Sequence, residues 1–274
     1  MQQPNSKLRI PETLRKVKNV IGVFSAKGGV GKSAISLQLA LALKDKGFKV
    51  GLVDADIYGP SQPVMLNSGP GELKLTSEKI IEPLEKEGIK FISMGLISNE
   101  KMPVIWRGPM VSGAVMQLLA QTDWEELDYL IVDTPPGTGD VQLTLLQRIP
   151  LTSAIVVTTP QEVSISDCKK GIEMINKLEL SISGLIENMS WFQPDHDGKK
   201  YYLFGKDGGK NLADEYSLEL LGQLPLVEIP EESSIQHNES LKFEFSEIAD
   251  KLICSIKNLK EKKSDGIPQI NLTK

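Results

Sequence analysis

The sequence predicts an α/β fold, in which a mostly parallel β-sheet is flanked by helices. Two observations predict it: short runs rich in Val, Ile and Leu alternate with longer stretches of helical periodicity, and those runs are almost continuously apolar. Strands buried on both faces have that character, whereas half-exposed strands alternate apolar and polar residues. The 274 residues are 40% hydrophobic and 24% charged, which is enough for a sizeable core. We therefore predict a single domain.

The predicted strands and helices follow one another along the chain as β–α units do. Helical patterns cover 33–47, 108–121, a stretch that ends near Leu178, and 240–263. Loops begin at Gly, Asp and Pro residues after the strands. Because ligands of parallel sheets bind beyond the carboxyl ends of the strands, we expect the candidate site residues in these loops. The predicted strands are 20–25, 48–56, 89–95, 128–135, 154–160, 182–190 and 218–225.

The two ends of the chain are polar and predict segments outside this domain. Residues 1–19 are polar and contain prolines, so we predict an N-terminal arm outside the core. The domain then covers 20–262, and 263–274 form a flexible C-terminal tail. The sequence has neither an apolar run of signal-peptide type at its start nor a stretch long enough to cross a bilayer, which predicts no stable membrane insertion.

Charge and cysteine content limit the classes of partner and compartment. The net charge of −5 argues against a broadly basic surface, so we predict no nucleic-acid partner. The two cysteines, Cys168 and Cys254, are far apart and lack metal-ligand spacing. Two ordinary thiols are typical of a reducing compartment, and we predict a cytoplasmic protein.

The stretch FSAKGGVGKSAIS, residues 24–36, has the pattern of a phosphate-binding loop between a strand and a helix. Glycines bring backbone N–H groups close to phosphates, and the N-terminus of the following helix favours negative charge. Lys32 is placed to reach the β- and γ-phosphates, and the Ser33 hydroxyl to bind Mg²⁺. The strict G-x-x-x-x-G-K-[ST] pattern fails at Ala26, and the alternative is a glycine-rich turn without a ligand. The predicted nucleotide-binding residues of this loop are Ala26, Lys27, Gly28, Gly29, Val30, Gly31, Lys32, Ser33 and Ala34.

Two aspartate-containing stretches at other strand ends support nucleotide binding. DYLIVDTPPGTGD places Asp133 at the end of an apolar strand, where a carboxylate can hold Mg²⁺ through water, so Ser33 and Asp133 form the predicted metal site. In the same stretch Gly137 is placed to offer its N–H to the γ-phosphate. VDADIYGPSQP ends another strand with Asp54 and Asp56, and we predict that Asp56 orients the attacking water. The alternative for each aspartate is a capping or turn residue.

The arrangement K-G-G-V-G-K-S, together with the aspartate motifs, resembles the deviant phosphate-loop ATPases, which include MinD, the ParA partition ATPases, nitrogenase iron protein and the Mrp iron–sulfur carriers. The resemblance implies a P-loop NTPase fold like that of MinD and nitrogenase iron protein. It also implies a homodimer in which Lys27 reaches the nucleotide of the partner subunit. A cation supplied in trans offsets charge on the transferring phosphoryl group, as an arginine finger does. The alternative for Lys27 is a solvated loop lysine.

Further stretches are similar to the Mrp branch of that superfamily, also called ApbC-like. WRGPM (106–110) and PPGTGDVQLTL (135–145) are much more specific than the phosphate loop. The resemblance implies a slow, Mg²⁺-dependent and dimer-dependent ATPase that delivers an iron–sulfur cluster to apo-protein clients. It also implies that Asn188 hydrogen-bonds the adenine edge and that Pro225 flanks the base.

The sequence departs from this family at the cluster ligands. Members usually carry C-x-x-C between the NMS-aromatic stretch and the FG motif, but here 188–205 reads NMSWFQPDHDGKKYYLFG. Pro194 and Asp197 take the two cysteine positions, and neither supplies the thiolate that such clusters need. We interpret the polar residues around them as a solvated loop, and Cys168 and Cys254 as small apolar residues on helices. No iron–sulfur ligand is therefore predicted, and a bound cluster is implied by the resemblance alone.

A membrane-cycling regulator like MinD and a DNA-partitioning ATPase are the alternative functions. The first needs an amphipathic C-terminal helix that lies on anionic lipid, and 240–263 has apolar residues on one face followed by lysines. We favour a helix packed on the sheet, because that face has no bulky aromatic residue beyond its first turn. The acidic balance and the WRGPM stretch argue against the partition ATPase.

Overall fold

The computed structural model describes residues 11–69, 73–76, 80–97, 108–194, 196, 198–227 and 241–265. The strands are β1 (Val20–Phe24), β2 (Val50–Asp54), β3 (Lys74–Leu75), β4 (Ile81–Glu82), β5 (Leu84–Lys86), β6 (Ile89–Ser93), β7 (Tyr129–Asp133), β8 (Ser153–Thr158), β9 (Ile182–Glu187) and β10 (Leu220–Gln223). The helices are a 3-10 turn (Glu12–Lys16), α1 (Lys32–Asp45), α2 (Gln62–Met65), α3 (Met94–Ile97), α4 (Gly108–Gln121), α5 (Asp140–Arg148), α6 (Glu162–Lys177), α7 (Gly208–Glu215) and α8 (Lys242–Asp265).

Eight strands form one sheet in the order β10-β9-β8-β1-β7-β2-β6-β5. Every neighbouring pair is parallel except β5 and β6, which pair antiparallel. The predicted α/β fold is therefore confirmed, and each of the seven predicted strands overlaps a strand of this sheet. The strand order has a direct consequence for the site. Asp54 at the end of β2 is opposite Asp133 at the end of β7, and β7 also borders β1, which leads into the phosphate loop.

Both faces of the sheet are covered by helices, which explains why its strands are apolar throughout. On β7, Tyr129 and Ile131 point into one core cluster while Leu130 and Val132 point into another. Helices α1 and α8 pack together on the first face. Helices α4 and α5 cover one part of the opposite face, and α6 and α7 cover the other. All five residues of β1, β2 and β7 are buried as a result.

The C-terminal helix packs on the sheet as the sequence predicts. Its apolar residues Phe245, Ile248, Leu252 and Ile256 are at most 3% exposed and belong to the same cluster as α1. The apolar face of α8, which would have to contact lipid in a membrane-binding helix, therefore packs against the core of the domain. In the part of the chain that the structure describes, no helix is both long and apolar enough to cross a membrane.

The described part of the predicted N-terminal arm does not lie outside the core, which corrects that expectation. Leu14 and Val17 are buried in the cluster that also contains α4 residues. Thr13 Oγ1 donates to the Ala120 carbonyl at 3.1 Å, and Val17 forms a parallel bridge with Leu127. Two apolar residues spaced by one helical turn are enough to anchor an otherwise polar segment. The boundaries at 19 and 262 stay predictions, and residues 1–10 and 266–274 are outside the described part.

Candidate functional site

The predicted phosphate loop connects the end of β1 with the start of α1 and lines a cavity of about 330 Å³. Gly29 and Gly31 have φ values of 79° and 83°, a region that favours glycine, and Gly31 is the N-cap of α1. Eight of the nine predicted loop residues line this cavity. Ala26 does not line it and instead packs against the core cluster beneath α6. The residues from the loop that line it are Lys27, Gly28, Gly29, Val30, Gly31, Lys32, Ser33 and Ala34.

Lys32 and Asp133 form a buried ion pair at the floor of the site. Lys32 Nζ contacts Asp133 Oδ1, and the two side chains are 6% and 0% exposed. The carboxylate also accepts from Ser36 Oγ at 3.2 Å and from Gln62 Nε2 at 3.0 Å. A charge buried this deeply is stable only when it is paired and hydrogen-bonded. The predicted phosphate lysine and the predicted metal aspartate are therefore in direct contact.

The two aspartates after β2 have different positions, which separates their roles. Asp56 lines the cavity beside the phosphate loop, which we call the phosphate-side cavity. Its Oδ1 accepts from the Tyr58 and Gly59 N–H groups at 3.1 and 3.2 Å. Asp54 is fully buried and holds the loop, because it accepts from the backbone N–H of Asp56 and the Ser93 hydroxyl. Burial raises the pKa of the Asp54 carboxyl to about 8, and the nearby Asp133 charge adds to the effect.

A second cavity, of about 210 Å³, adjoins the first and contains both predicted base-binding residues. Asn188 and Pro225 line it, and Asn188 Nδ2 donates to the Val30 carbonyl at 2.9 Å. The rest of the lining is largely apolar, as small-molecule sites usually are. Leu241 and Phe245 at the start of α8 complete the wall, and sequence reasoning missed them. The apolar face predicted for α8 is the signal that could have pointed to them.

Gly137 makes a contact different from the predicted one. Its N–H donates to the Ser25 carbonyl at 2.9 Å, which ties the loop after β7 to the loop after β1. Among the described residues of that loop, Pro136 lines the phosphate-side cavity. Gly137 could donate to a phosphate only if the bond to Ser25 were released.

Lys27 lies on the exposed rim of the phosphate loop. Within the described ranges its ammonium group has no hydrogen-bond or ion-pair partner, while its carbonyl accepts from Ser25 Oγ at 3.0 Å. Its side chain can therefore extend away from the subunit that carries it.

The oxygen donors at the phosphate side fit a hard divalent cation. Ser33, Asp56 and Lys32 line the phosphate-side cavity, the buried Asp133 carboxylate pairs with Lys32, and Mg²⁺ prefers oxygen ligands of this kind. Mg²⁺ beside a nucleotide is held by one or two side chains together with phosphates and water, so it needs no larger cluster of protein ligands. Over the residues that the structure describes, no group of three or more His, Cys, Asp or Glu side chains could hold a metal.

The cysteines differ from each other more than the sequence predicts. Cys168 is buried on α6 as expected, and burial raises the pKa of its thiol to about 12. Cys254 is exposed on α8, which corrects its interpretation as a small apolar residue that packs like Cys168. An exposed position on the solvent side of an amphipathic helix needs no apolar side chain, so the helical location alone did not determine burial.

The segment between β9 and α7, where the family's cysteine pair is expected, presents aromatic residues. Phe192 and Tyr201 form an antiparallel bridge, and Lys200 Nζ lies 3.6 Å from the centre of the Trp191 ring. Tyr201, Tyr202 and Leu203 are between 40% and 59% exposed. Pro194 is described, whereas Asp195 and Asp197 are outside the described residues, and His196 between them is exposed.

Comparison with known proteins shows which family has this arrangement. The family described as NUBPL iron-transfer P-loop NTPase, within the ParA group, matches residues 16–258. The iron-sulfur cluster carrier protein of Pseudomonas fragi is 47% identical over 222 residues, which are 80% of this chain and 77% of that protein. The iron-sulfur cluster transfer protein NUBPL of Dictyostelium discoideum is 47% identical over 211 residues, 77% of this chain and 65% of that protein. The match thus spans more than two thirds of the length of the Pseudomonas protein but slightly less than two thirds of the Dictyostelium protein.

Solved structures agree with the fold. The nucleotide-binding protein of Archaeoglobus fulgidus, in complex with ADP, is 32% identical with a TM-score of 0.69 and covers 88% of this chain and 90% of its own. The cell division ATPase MinD of Pyrococcus furiosus has a TM-score of 0.61 at 18% identity and covers 86% of this chain and 99% of its own, so it shows the fold alone. From the phosphate loop, the strand order and these matches, the chain belongs to the NUBPL iron-transfer family of ParA-type P-loop NTPases.

Proposed function

We propose that this protein is a homodimeric, Mg²⁺-dependent ATPase that acts in the transfer of iron–sulfur clusters to apo-protein clients, in the cytoplasm. The observation that carries the nucleotide part is the pair of adjoining cavities, one polar and one apolar, which share Gly31 and Ala34. A nucleotide has the same two halves, a charged phosphate chain and a flat base. The carrier and transfer names of the relatives support the second part.

The proposed roles follow from the contacts. Backbone N–H groups of the phosphate loop and Lys32 hold the phosphates, so Lys32 exchanges Asp133 for a phosphate oxygen when it binds them. Ser33 and Asp133 would hold Mg²⁺, which would neutralise negative charge on the phosphates. Asp56 orients the attacking water from the wall of the phosphate-side cavity. Asn188 and Pro225 contact the base.

The exposed apolar side chains support the homodimer. All eight large exposed hydrophobic residues among the described ones lie in segments that follow the carboxyl end of a strand or begin the next helix, which is the edge that carries the cavities. Exposed apolar surface gathered on one edge is typical of an interaction site. Lys27 projects from the same edge, which fits a cation supplied to the partner subunit. The eight residues are Tyr58, Val64, Met110, Val163, Tyr201, Tyr202, Leu203 and Phe243.

We treat the iron–sulfur cluster as cargo rather than as a resident cofactor. Pro194 stands at one expected cysteine position, Cys168 is buried with a raised thiol pKa, and Cys254 lies alone on α8. These residues do not fit the thiolate pair that each subunit of a bridging site would supply. We therefore propose that the ATPase assists transfer without holding a stable bridging cluster through its own cysteines.

Two measurements test the proposal. Titration calorimetry with ATP and Mg²⁺ should give a heat of binding, and its absence would refute the nucleotide-dependent function. Anaerobic reconstitution followed by iron and sulfide analysis should give far less than one cluster per dimer, and one cluster per dimer would refute the cargo interpretation.

The MinD-like alternative has less support. Its membrane-binding helix would need a free apolar face, but Phe245, Ile248 and Leu252 of α8 are buried against the domain. Sedimentation with anionic liposomes and ATP should leave the protein in the supernatant, and ATP-dependent pelleting would favour this alternative instead.

A further inference from the structure

Gln62 is a fully buried residue at the start of α2 that lies between the parts of the candidate site. Its Nε2 donates to the Ser33 carbonyl at 2.8 Å and to Asp133 Oδ2 at 3.0 Å. Two acceptors on one NH₂ group determine the orientation of the amide, since the opposite orientation would turn an oxygen toward both. Its backbone N–H also donates to Asp54 Oδ2 at 3.2 Å. One residue thus joins the phosphate loop, the metal aspartate and the loop after β2.

Packing alone does not explain a glutamine at this position. Its Oε1 is buried and has no hydrogen-bond partner within the described residues. An apolar side chain of similar size would fill the space without a buried unpaired acceptor. The contacts of Nε2 are therefore the property that distinguishes glutamine here.

The two oxygens of Asp133 have different partners. Lys32 Nζ and Ser36 Oγ contact Oδ1, whereas Gln62 Nε2 contacts Oδ2. When Lys32 turns toward a phosphate, Oδ1 loses its cation while Oδ2 keeps the bond to Gln62. The carboxylate then cannot rotate without breaking a buried hydrogen bond, so Oδ1 remains the oxygen from which Lys32 has moved away.

We propose that Gln62 is a positioning residue of the magnesium site, which holds Asp133 Oδ2 and so orients Oδ1 toward a metal-bound water. The inference rests on the proposed nucleotide-dependent function. Through Ser33 and the backbone bond to Asp54, Gln62 also sets the distance between the phosphate loop and the loop that carries Asp56.

The test compares Gln62→Met with Gln142→Met. Gln142 is a matched control, because it is 2% exposed, donates one side-chain hydrogen bond to Thr134 at 2.8 Å and also has a buried Oε1 without a partner in the described part. Affinity for N-methylanthraniloyl-ADP is measured by fluorescence, with Mg²⁺ titrated in and with EDTA. We expect Gln62→Met to reduce about 10-fold the gain in nucleotide affinity that Mg²⁺ provides, because residues that orient metal ligands act on metal affinity. The affinity measured in EDTA should change by no more than about twofold. Gln142→Met should match the wild type.

Equal Mg²⁺ dependence in the two variants would overturn the proposal, as would an equal loss of affinity in EDTA and in Mg²⁺. If the wild type itself shows no Mg²⁺-dependent nucleotide binding, the proposed function fails together with the role of Gln62. If the wild type shows it and Gln62→Met retains it in full, only the role of Gln62 fails. If Gln62→Met does not fold, the wild-type side-chain amide of Gln62 provides the measurement by NMR. We expect that amide to remain protected from exchange in the presence of Mg²⁺ and ADP, and exchange as fast as that of exposed glutamines would overturn the proposal.

Discussion

The phosphate-side and base-side cavities adjoin each other but are built in opposite ways. The first is lined mainly by eight consecutive residues of the phosphate loop and the start of α1, and the segments after β2 and β7 add others such as Asp56 and Pro136. The second combines α1 with the segments after β9 and β10 and the start of α8. One is polar and charged, and the other is largely apolar. The difference teaches that a short local motif can provide charge recognition, whereas an apolar pocket of this kind exists only after distant elements have packed together.

The difference also predicts separate effects on function. Groups at the phosphate side meet the charge that changes during hydrolysis, so substitutions there should alter turnover. Groups at the base side make the same contacts before and after hydrolysis, so substitutions there should alter ATP and ADP affinity equally.

Lys32→Ala should have the largest effect, because it removes the proposed phosphate ligand and also leaves Asp133 buried without its cation. We expect ATP hydrolysis to fall by about 100-fold or more. The free energy of unfolding should fall by about 3–5 kcal/mol, since one partner of a buried ion pair is lost. The measurements are steady-state phosphate release and urea denaturation.

The double variant Lys32→Ala/Asp133→Asn separates these two consequences. It should recover much of the stability, because the buried negative charge is gone, but none of the hydrolysis. Turnover in Lys32→Ala close to that of the wild type would mean that the phosphate side is not the reaction site.

Lys27→Ala should reduce hydrolysis about 100-fold while nucleotide affinity changes little, because in the proposed homodimer this cation acts on the transferring group of the partner subunit. Mixed in equal amounts with Lys32→Ala, it should recover about a quarter of wild-type turnover, since half of the dimers then contain one complete site. No recovery on mixing would show that Lys27 acts in its own subunit. Lys177→Ala, at the exposed end of α6, is the control and should behave as the wild type.

Asp54→Asn should change the pH dependence of stability, which tests whether the buried Asp54 carboxyl carries a proton beside Asp133. The pKa of Asp54 is raised to about 8 in the folded protein, so the folded state keeps a proton that the unfolded chain releases near pH 4. Its contribution to stability is present at low pH and is lost as pH rises to about 8, with a slope of up to about 1.4 kcal/mol per pH unit. Thermal denaturation between pH 5 and 8 should therefore show a shallower decline in the variant. An unchanged slope would mean that Asp54 is ionised throughout.

Asn188→Ala should have the smallest effect and should act on affinity alone. Losing its hydrogen bonds costs about 1 kcal/mol of binding free energy, which lowers the affinity for both ATP and ADP about fivefold. Calorimetry with the two nucleotides measures the change, and Asn211→Ala on the exposed side of α7 is the control. A selective loss of turnover would contradict the division between the two cavities.

The features with a regular local pattern were predictable, and those that depend on few residues were not. Apolar runs and periodicity predict seven of the ten strands and the helices α1, α4, α6 and α8, but not the short strands β3, β4 and β5. The sequence does not predict α5 and α7, because helices of nine and eight residues are too short to show a clear periodicity. Leu14 and Val17 were missed because two apolar residues in a polar segment do not form a pattern.

By itself, the sequence determined the parallel α/β fold, the phosphate loop with Lys27 and Lys32, and the acidic strand ends, because each is encoded by neighbouring residues with a characteristic spacing. Only the tertiary structure decided that Lys32 pairs with Asp133, that Gln62 lies between Ser33 and Asp133, and that α8 closes the base-side cavity. These contacts join residues far apart in the chain, and their partners follow from strand order and helix packing, which no local spacing specifies.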